Sequence, residues 1–124
     1  MLKHEPLTNQ IVGAAIDVHR SLGPGLLESV YEECLCFELR ERGLSFRRQL
    51  EVPLVYKGRS LASNLRIDVL VEDTVVVELK SVAAVLPIHE AQLLTYLRLT
   101  KREVGLLINF NVPTLKQGIF RRVL

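Results

Sequence analysis

The feature that most constrains the fold is a pair of apolar stretches, 65–71 and 75–80, with a short polar break between them. Apolar residues alternate or run on in each stretch, which predicts two β-strands joined as an antiparallel hairpin. Besides Arg66 near the start of the first stretch, three charged residues, Asp68, Glu78 and Lys80, interrupt these otherwise apolar strands. Because unpaired buried charge is costly, we expect the three side chains to meet on one face of the hairpin.

The length of the turn decides whether these residues meet, because a one-residue slip moves every side chain of a strand to the other face. With a two-residue turn, Asp68 and Glu78 fall on opposite faces. With a three-residue loop, Val71 opposes Val75 and Asp68 lies across from Glu78. We predict the three-residue loop, with a residue near Asp73 in a left-handed conformation.

The flanking segments predict helices on both sides of the strands. Apolar residues spaced by three and four predict a first helix from Leu7-Thr8 to Gly23, a second ending at Gly43, and a third from Pro87 to about residue 100. Further strands are predicted at 46–56, 104–110 and 119–124. The first has Pro53 at an edge position or a bulge and is followed by a turn at 57–59. The second is expected to be covered on both faces. The order ααβββαβ(β) predicts an α/β (α+β) fold, a mixed sheet flanked by helices.

Size and composition place the chain among single-domain proteins that remain in the cytoplasm. Its 124 residues fit one domain, 1–124, and the net charge of +2 does not by itself predict nucleic-acid binding. Cys34 and Cys36, the only cysteines, point to different sides of a helix, which excludes a zinc site built on thiolates. No apolar run is long enough for a signal peptide or a membrane span, so a cytoplasmic location is expected.

Two carboxylates at cross-strand distance predict a site for a divalent cation. Asp68 and Glu78 would repel each other, and an ion held by oxygen ligands, Mg²⁺ or Mn²⁺, would remove that conflict. Lys80 would then lower the pKa of an attacking water or offset charge on a phosphate. The alternative is a surface salt bridge between Glu78 and Lys80, worth well under about 1 kcal/mol. The spacing E-x-K alone does not decide between them.

Two helices supply further candidate residues. Gln92 and Tyr96 share one stripe of the helix that follows Pro87, where they would hydrogen-bond a metal-bound water or a phosphate, or else close the edge of the core. Glu28 and Tyr31 share a face of the second helix in the same way. Glu28 lies in the first turn, where the helix dipole favours a carboxylate in any case.

Several separated motifs together resemble the GxxExxY proteins, short bacterial and archaeal proteins placed in the PD-(D/E)XK nuclease superfamily. The resemblance extends from about Leu7 to Arg121. It is carried, in this order, by Gly25-x-x-Glu28-x-x-Tyr31, Arg66-Ile67-Asp68, Val77-Glu78-Leu79-Lys80, Gln92-x-x-x-Tyr96-Leu97 and Leu107-Ile108-Asn109-Phe110.

The resemblance implies a restriction-endonuclease-like αβββαβ core with a metal bound at the edge of the sheet. Ile67 stands where the superfamily's name has proline, a position that is not a ligand. The roles that the resemblance implies are metal ligands at Asp68 and Glu78, a catalytic lysine at Lys80, an auxiliary residue at Gln92, and an acidic residue from the first helical region at Glu28.

The function that these observations favour is a Mg²⁺-dependent phosphodiesterase acting on DNA or RNA, in which Glu28, as a third metal ligand, and Gln92 complete the metal shell. Tyr31, Tyr96 and Arg66 are the predicted substrate contacts, and basic residues such as Arg66 would guide a phosphate backbone. One alternative is a non-catalytic module that keeps the nuclease scaffold to hold nucleic acid or a protein. Another is a homodimer, in which a second copy covers the apolar strand at 104–110.

Overall fold

The computed structural model of the protein describes residues 2–62 and 65–124. None of the helices in these two ranges is long and apolar enough to cross a membrane. The elements in these ranges are α1 (Glu5–Leu22), α2 (Glu28–Glu41), β1 (Phe46–Glu51), β2 (Leu54–Tyr56), β3 (Arg59–Leu61), β4 (Arg66–Val71), β5 (Val75–Lys80), α3 (Pro87–Thr100), β6 (Val104–Asn109), a 3-10 turn (Leu115–Gly118) and β7 (Ile119–Val123).

Five strands form a mixed sheet in the order β1-β4-β5-β6-β7. β5 and β6 are parallel and joined through α3, whereas the other neighbouring strands pair antiparallel. β1, β5 and β6 therefore finish at the same end of the sheet, where β4 begins. We call this the upper end; Glu51 pairs with Arg66 and Lys80 with Asn109 there.

Helices cover both faces of the sheet, as the predicted element order requires. One buried cluster joins α1 and α2 to one face and includes Leu35, Val77 and Phe110. A second cluster joins α3 to the other face and includes Val76 and Leu93. Every residue of β6 is buried, because its apolar run is covered by helices on both faces, as predicted.

The turn between β4 and β5 has the predicted length. Val71 pairs with Val75, which leaves a three-residue loop. Glu72 and Asp73 in that loop are both left-handed, with φ values of 51° and 52°. The predicted register of the hairpin is therefore confirmed.

The prediction of one continuous strand at 46–56 is wrong, because the segment forms two strands in different sheets. β1 ends before Pro53, and the chain then forms a separate hairpin of β2 and β3. The hairpin turns at Lys57 and Gly58, so Arg59 lies in a strand rather than in the turn. The alternation of apolar residues continues across Pro53 in the sequence, so it does not show where one strand ends and the next begins.

The first helix starts earlier than predicted. α1 begins at Glu5, with Pro6 in its first turn, where a missing N–H is tolerated. Thr8 was predicted as the N-cap, but it lies inside the helix and its hydroxyl donates to the Glu5 carbonyl at 3.1 Å. The side chain thus bonds back along the helix, a pattern that the sequence alone does not separate from a cap.

Candidate active site

Asp68 and Glu78 lie where β4 and β5 separate near the upper end of the sheet. The last ladder pair before them is Val69 with Val77. Beyond it, the Asp68 N–H donates to Glu78 Oε1 at 3.1 Å, and the Leu79 N–H donates to Asp68 Oδ2 at 2.8 Å. Each carboxylate therefore bonds to the backbone of the opposite strand, and the two acids are brought together.

The regular alternation of side chains breaks at Asp68. Ile67 and Leu70 pack into the same cluster against α3, although strict alternation would place them on opposite faces. The residue across from Asp68 on β1 is Gln49, which is left-handed with φ 49° and is flanked by regular pairs on both sides. Because β1 and β4 depart from regular geometry at opposing residues, the pairing register of the two strands is the same on either side of Gln49 and Asp68.

Burial and mutual repulsion govern the ionisation of the two carboxylates. Glu78 is only 5% exposed, and burial, followed by the charge of Asp68, raises its pKa well above the usual range. The pKa of Asp68 is also raised, chiefly by burial, while the Leu79 N–H acts in the opposite direction. The two groups therefore resist carrying a full charge each, and they hydrogen-bond to each other when one is protonated.

The donor chemistry of this pair fits a divalent cation. Mg²⁺ and Mn²⁺ prefer oxygen ligands such as carboxylates, and the negative charge of this pair is not fully balanced by neighbouring positive charge. A cation between them would offset the repulsion that raises the pKa of Glu78. Asp68 and Glu78 are thus the residues that would hold it.

Lys80 and Tyr96 approach the carboxylates from β5 and α3. The ammonium group of half-buried Lys80 lowers the pKa of Glu78, opposing the effect of burial. The pKa of Tyr96 is raised by burial and then by the charges of Glu78 and Asp68, so its phenol lies within electrostatic range of both acids. Gln92 is exposed and donates to the Tyr96 hydroxyl at 3.2 Å. Gln92 is therefore connected to the site through Tyr96.

Glu28 borders the site without joining the two acids. Its Oε2 accepts a hydrogen bond from the Ser81 N–H at 3.2 Å, in the loop after β5. It lines a cavity of about 440 Å³ that Asp68 and Glu32 also line. Within residues 2–62 and 65–124, no three His, Cys, Asp or Glu side chains are grouped so as to hold a metal. Two of the three predicted ligands therefore meet, and the third bonds to a loop.

Glu32 and Gln49 are neighbours of Asp68 that the sequence did not indicate. Buried Glu32 accepts from Arg48 Nη2 at 2.9 Å and from Gln49 Nε2 at 2.7 Å, and its charge raises the pKa of Asp68. The same Gln49 nitrogen lies 3.3 Å from Asp68 Oδ1. Glu32 follows Glu28 by one helical turn, a spacing that would have identified it. No local signal identifies Gln49.

Tyr31 and Arg66, both predicted substrate contacts, have different surroundings. Tyr31 is fully buried and its hydroxyl donates to the Gly23 carbonyl at 2.6 Å and accepts from the Leu26 N–H at 3.1 Å. Its ring stacks on Phe110 with centroids 4.4 Å apart, so in this structure it holds the loop between α1 and α2. Arg66 is exposed at the upper end, with one donor bonded to the Gln49 carbonyl.

Comparison with protein families finds a match that covers nearly the whole chain. A family model described as the PD-(D/E)XK nuclease superfamily matches residues 5–123. No curated protein sequence and no solved structure matches the chain significantly. The three helices and mixed sheet of the described residues agree with a restriction-endonuclease-like fold, so the predicted fold class is confirmed. Membership in the narrower GxxExxY group stays a prediction.

Proposed function

We propose that this chain, which belongs to the PD-(D/E)XK nuclease superfamily, is a divalent-metal-dependent nuclease that hydrolyses phosphodiester bonds in DNA or RNA. The observation that carries the proposal is the pair Asp68 and Glu78, bonded across the separating strands with Lys80 beside them. Proteins of this superfamily generally use divalent metals.

In this proposal, Asp68 and Glu78 hold a Mg²⁺ or Mn²⁺ ion, with Glu28 contributing from the border of the cavity. The ion, when bound, supplies a Lewis acid that polarises a phosphate oxygen and stabilises the charge that develops on it. Lys80 orients the attacking water and offsets negative charge on the phosphate. Its effect is strengthened because the Glu78 carboxylate beside it is shielded from solvent.

Residues of α3 act on the substrate rather than on the bond that breaks. The Tyr96 phenol lies within electrostatic range of the two acids, and Gln92 holds that phenol through its side-chain amide. Together they orient a phosphate or a water at the mouth of the site. Exposed Arg66 lies two residues before Asp68 and would bind the phosphate backbone as it approaches.

Cleavage assays on labelled double-stranded DNA, single-stranded DNA and RNA, with Mg²⁺ or Mn²⁺, test the proposal. Glu78→Gln and Lys80→Ala should each reduce the rate by about 10²-fold or more, because each removes charge from the reacting centre. Exposed Lys101→Ala, at the far end of α3, is the matched control and should leave the rate unchanged. Cleavage that survives both site substitutions would contradict the mechanism.

A second candidate is a module that binds nucleic acid without cutting it. It is favoured by the hydrogen bonds that already occupy both carboxylates: Asp68 accepts from Leu79 and Glu78 from Asp68. Calorimetry with Mn²⁺ separates the two functions. A nuclease binds Mn²⁺ and loses the binding heat in Asp68→Asn, whereas a purely structural pair gives no heat in either protein.

A further inference from the structure

The β2–β3 hairpin, residues 54–61, leaves the main sheet at its upper end, the end that carries the candidate active site, and residues 55–61 are all exposed. We call it the arm. It connects β1 to β4 at the point where Glu51 pairs with Arg66, two residues before Asp68. Its base is fixed, because Val52 is fully buried and its N–H donates to the Leu65 carbonyl at 2.8 Å. The arm is therefore held at the same end of the sheet as the two carboxylates.

The turn makes the arm a defined ribbon rather than a loose loop. Among the residues that the structure describes, its two strands pair only with each other, forming a sheet separate from the main one. Lys57 and Gly58 form a two-residue turn and are both left-handed, with φ values of 49° and 78°. Turns with two left-handed residues match the twist of paired strands and hold a tight hairpin. Three residues per strand extend the ribbon by roughly 10 Å.

The surface of the arm combines cations with apolar and aromatic groups. Tyr56 pairs with Arg59 and Leu54 with Leu61, so these four side chains share one face of the ribbon. Tyr56 is 61% exposed, and Lys57 Nζ lies 5.5 Å from the centre of its ring.

The charge of the arm is not balanced locally. The stretch 52–67 contains Lys57, Arg59 and Arg66 and no acidic residue. None of these three cations forms an ion pair within the part of the chain that the structure describes, whereas Arg47 and Arg48 on the neighbouring strand β1 each have an acidic partner. Unpaired cations at the tip and base of a rigid ribbon suit a polyanion with regularly spaced charges.

We propose that the arm enters the major groove of duplex DNA next to the candidate active site, an inference that rests on the nucleic-acid substrate of the proposed function. A two-stranded ribbon fits the major groove of B-form DNA, which is about 12 Å wide. The major groove of A-form RNA is too deep and narrow for side chains to enter. Lys57 and Arg59 contact phosphates along the groove, and Tyr56 packs against the groove wall. The arm thereby positions the duplex across the site.

Binding of a short labelled DNA duplex, measured by fluorescence anisotropy in a chelator so that nothing is cleaved, tests this assignment. In Lys57→Gln/Arg59→Gln, affinity should fall by roughly tenfold, and the slope of log K against log salt should decrease by about two, since two phosphate contacts are lost. Arg98→Gln/Lys101→Gln removes the same charge from exposed residues at the opposite end of α3 and should bind as the wild type does. Circular dichroism verifies that both proteins are folded.

Three results would overturn the arm's role. The first is equal affinity of the arm variant and the control for duplex DNA, and the second is tighter wild-type binding to single-stranded DNA or duplex RNA than to duplex DNA. The third is a change of oligomeric state in the arm variant without loss of DNA binding. The third would mean that the ribbon pairs with a second copy of the chain. Failure of the proposed function gives a different pattern. A protein that binds duplex DNA through the arm but does not cleave it supports the arm and contradicts the nuclease.

Discussion

The backbone N–H of Asp68 donates a hydrogen bond to Glu78 Oε1 at 3.1 Å, so one candidate ligand stabilises the backbone of the other. This bond does not require a charge on Glu78, because the neutral side-chain amide oxygen of a glutamine at this position could accept it in the same geometry. The charge of Glu78 is instead a cost to the folded protein, since burial and Asp68 both oppose it. Structure and proposed chemistry therefore make different demands on the same side chain.

Glu78→Gln should stabilise the metal-free protein at neutral pH. The substitution retains the acceptor for the Asp68 N–H and removes the buried charge, and such changes at functional sites commonly add about 1 kcal/mol to the free energy of unfolding. Urea unfolding in a chelator measures the effect. Glu41→Gln, at an exposed position of α2, is the matched control. A less stable Glu78→Gln protein would contradict the assignment of Glu78 as a strained charge.

The stability of the metal-free protein should also depend on pH through Glu78. Its pKa is higher in the folded than in the unfolded chain, so the folded state binds more protons between those two values. The free energy of unfolding therefore decreases as pH rises above about 4.3, the usual pKa of glutamate, and levels off above the folded pKa. The stability gained by Glu78→Gln should grow over the same interval. A gain that is constant with pH would exclude Glu78 as its cause.

Tyr31→Phe should loosen the loop between α1 and α2. The change keeps the ring that stacks on Phe110 but removes the hydroxyl that bonds to Gly23 and Leu26, so two backbone groups of the loop lose their partner. The cost should be about 1–2 kcal/mol of unfolding free energy, measured in urea. Affinity for nucleic acid should not change. A selective loss of affinity at unchanged stability would instead support Tyr31 as a substrate contact.

Gly118→Ala should destabilise the fold strongly. A Cβ at this position would lie 2.1 Å from the Asn109 carbonyl oxygen, so the backbone must move. Asn109 also bonds through its side chain to both backbone groups of Val82, in the loop that follows β5. We expect a loss of about 3 kcal/mol. Gly13→Ala, where the added methyl meets only the flexible end of Arg42, should be close to neutral; equal thermal shifts in the two variants would contradict this reasoning.

Turn chemistry and alternation predicted the hairpin that carries the two acids. The register followed from requiring Asp68 and Glu78 to share a face, and the left-handed Glu72 and Asp73 confirm the loop that this requires. The same method was wrong beyond β1, because alternation does not reveal that a strand ends at Pro53 and resumes in a separate hairpin. The arm was therefore absent from the predicted fold.

The sequence by itself determined the hairpin of β4 and β5, which helices flank the sheet and which acids come together, because periodicity and turn length are local properties. The tertiary structure alone decided what surrounds Asp68. Gln49 lies nineteen residues before it, and Glu32 reaches it only because α2 packs on the sheet. Contacts over such distances depend on how elements pack, and local propensity carries no information about that.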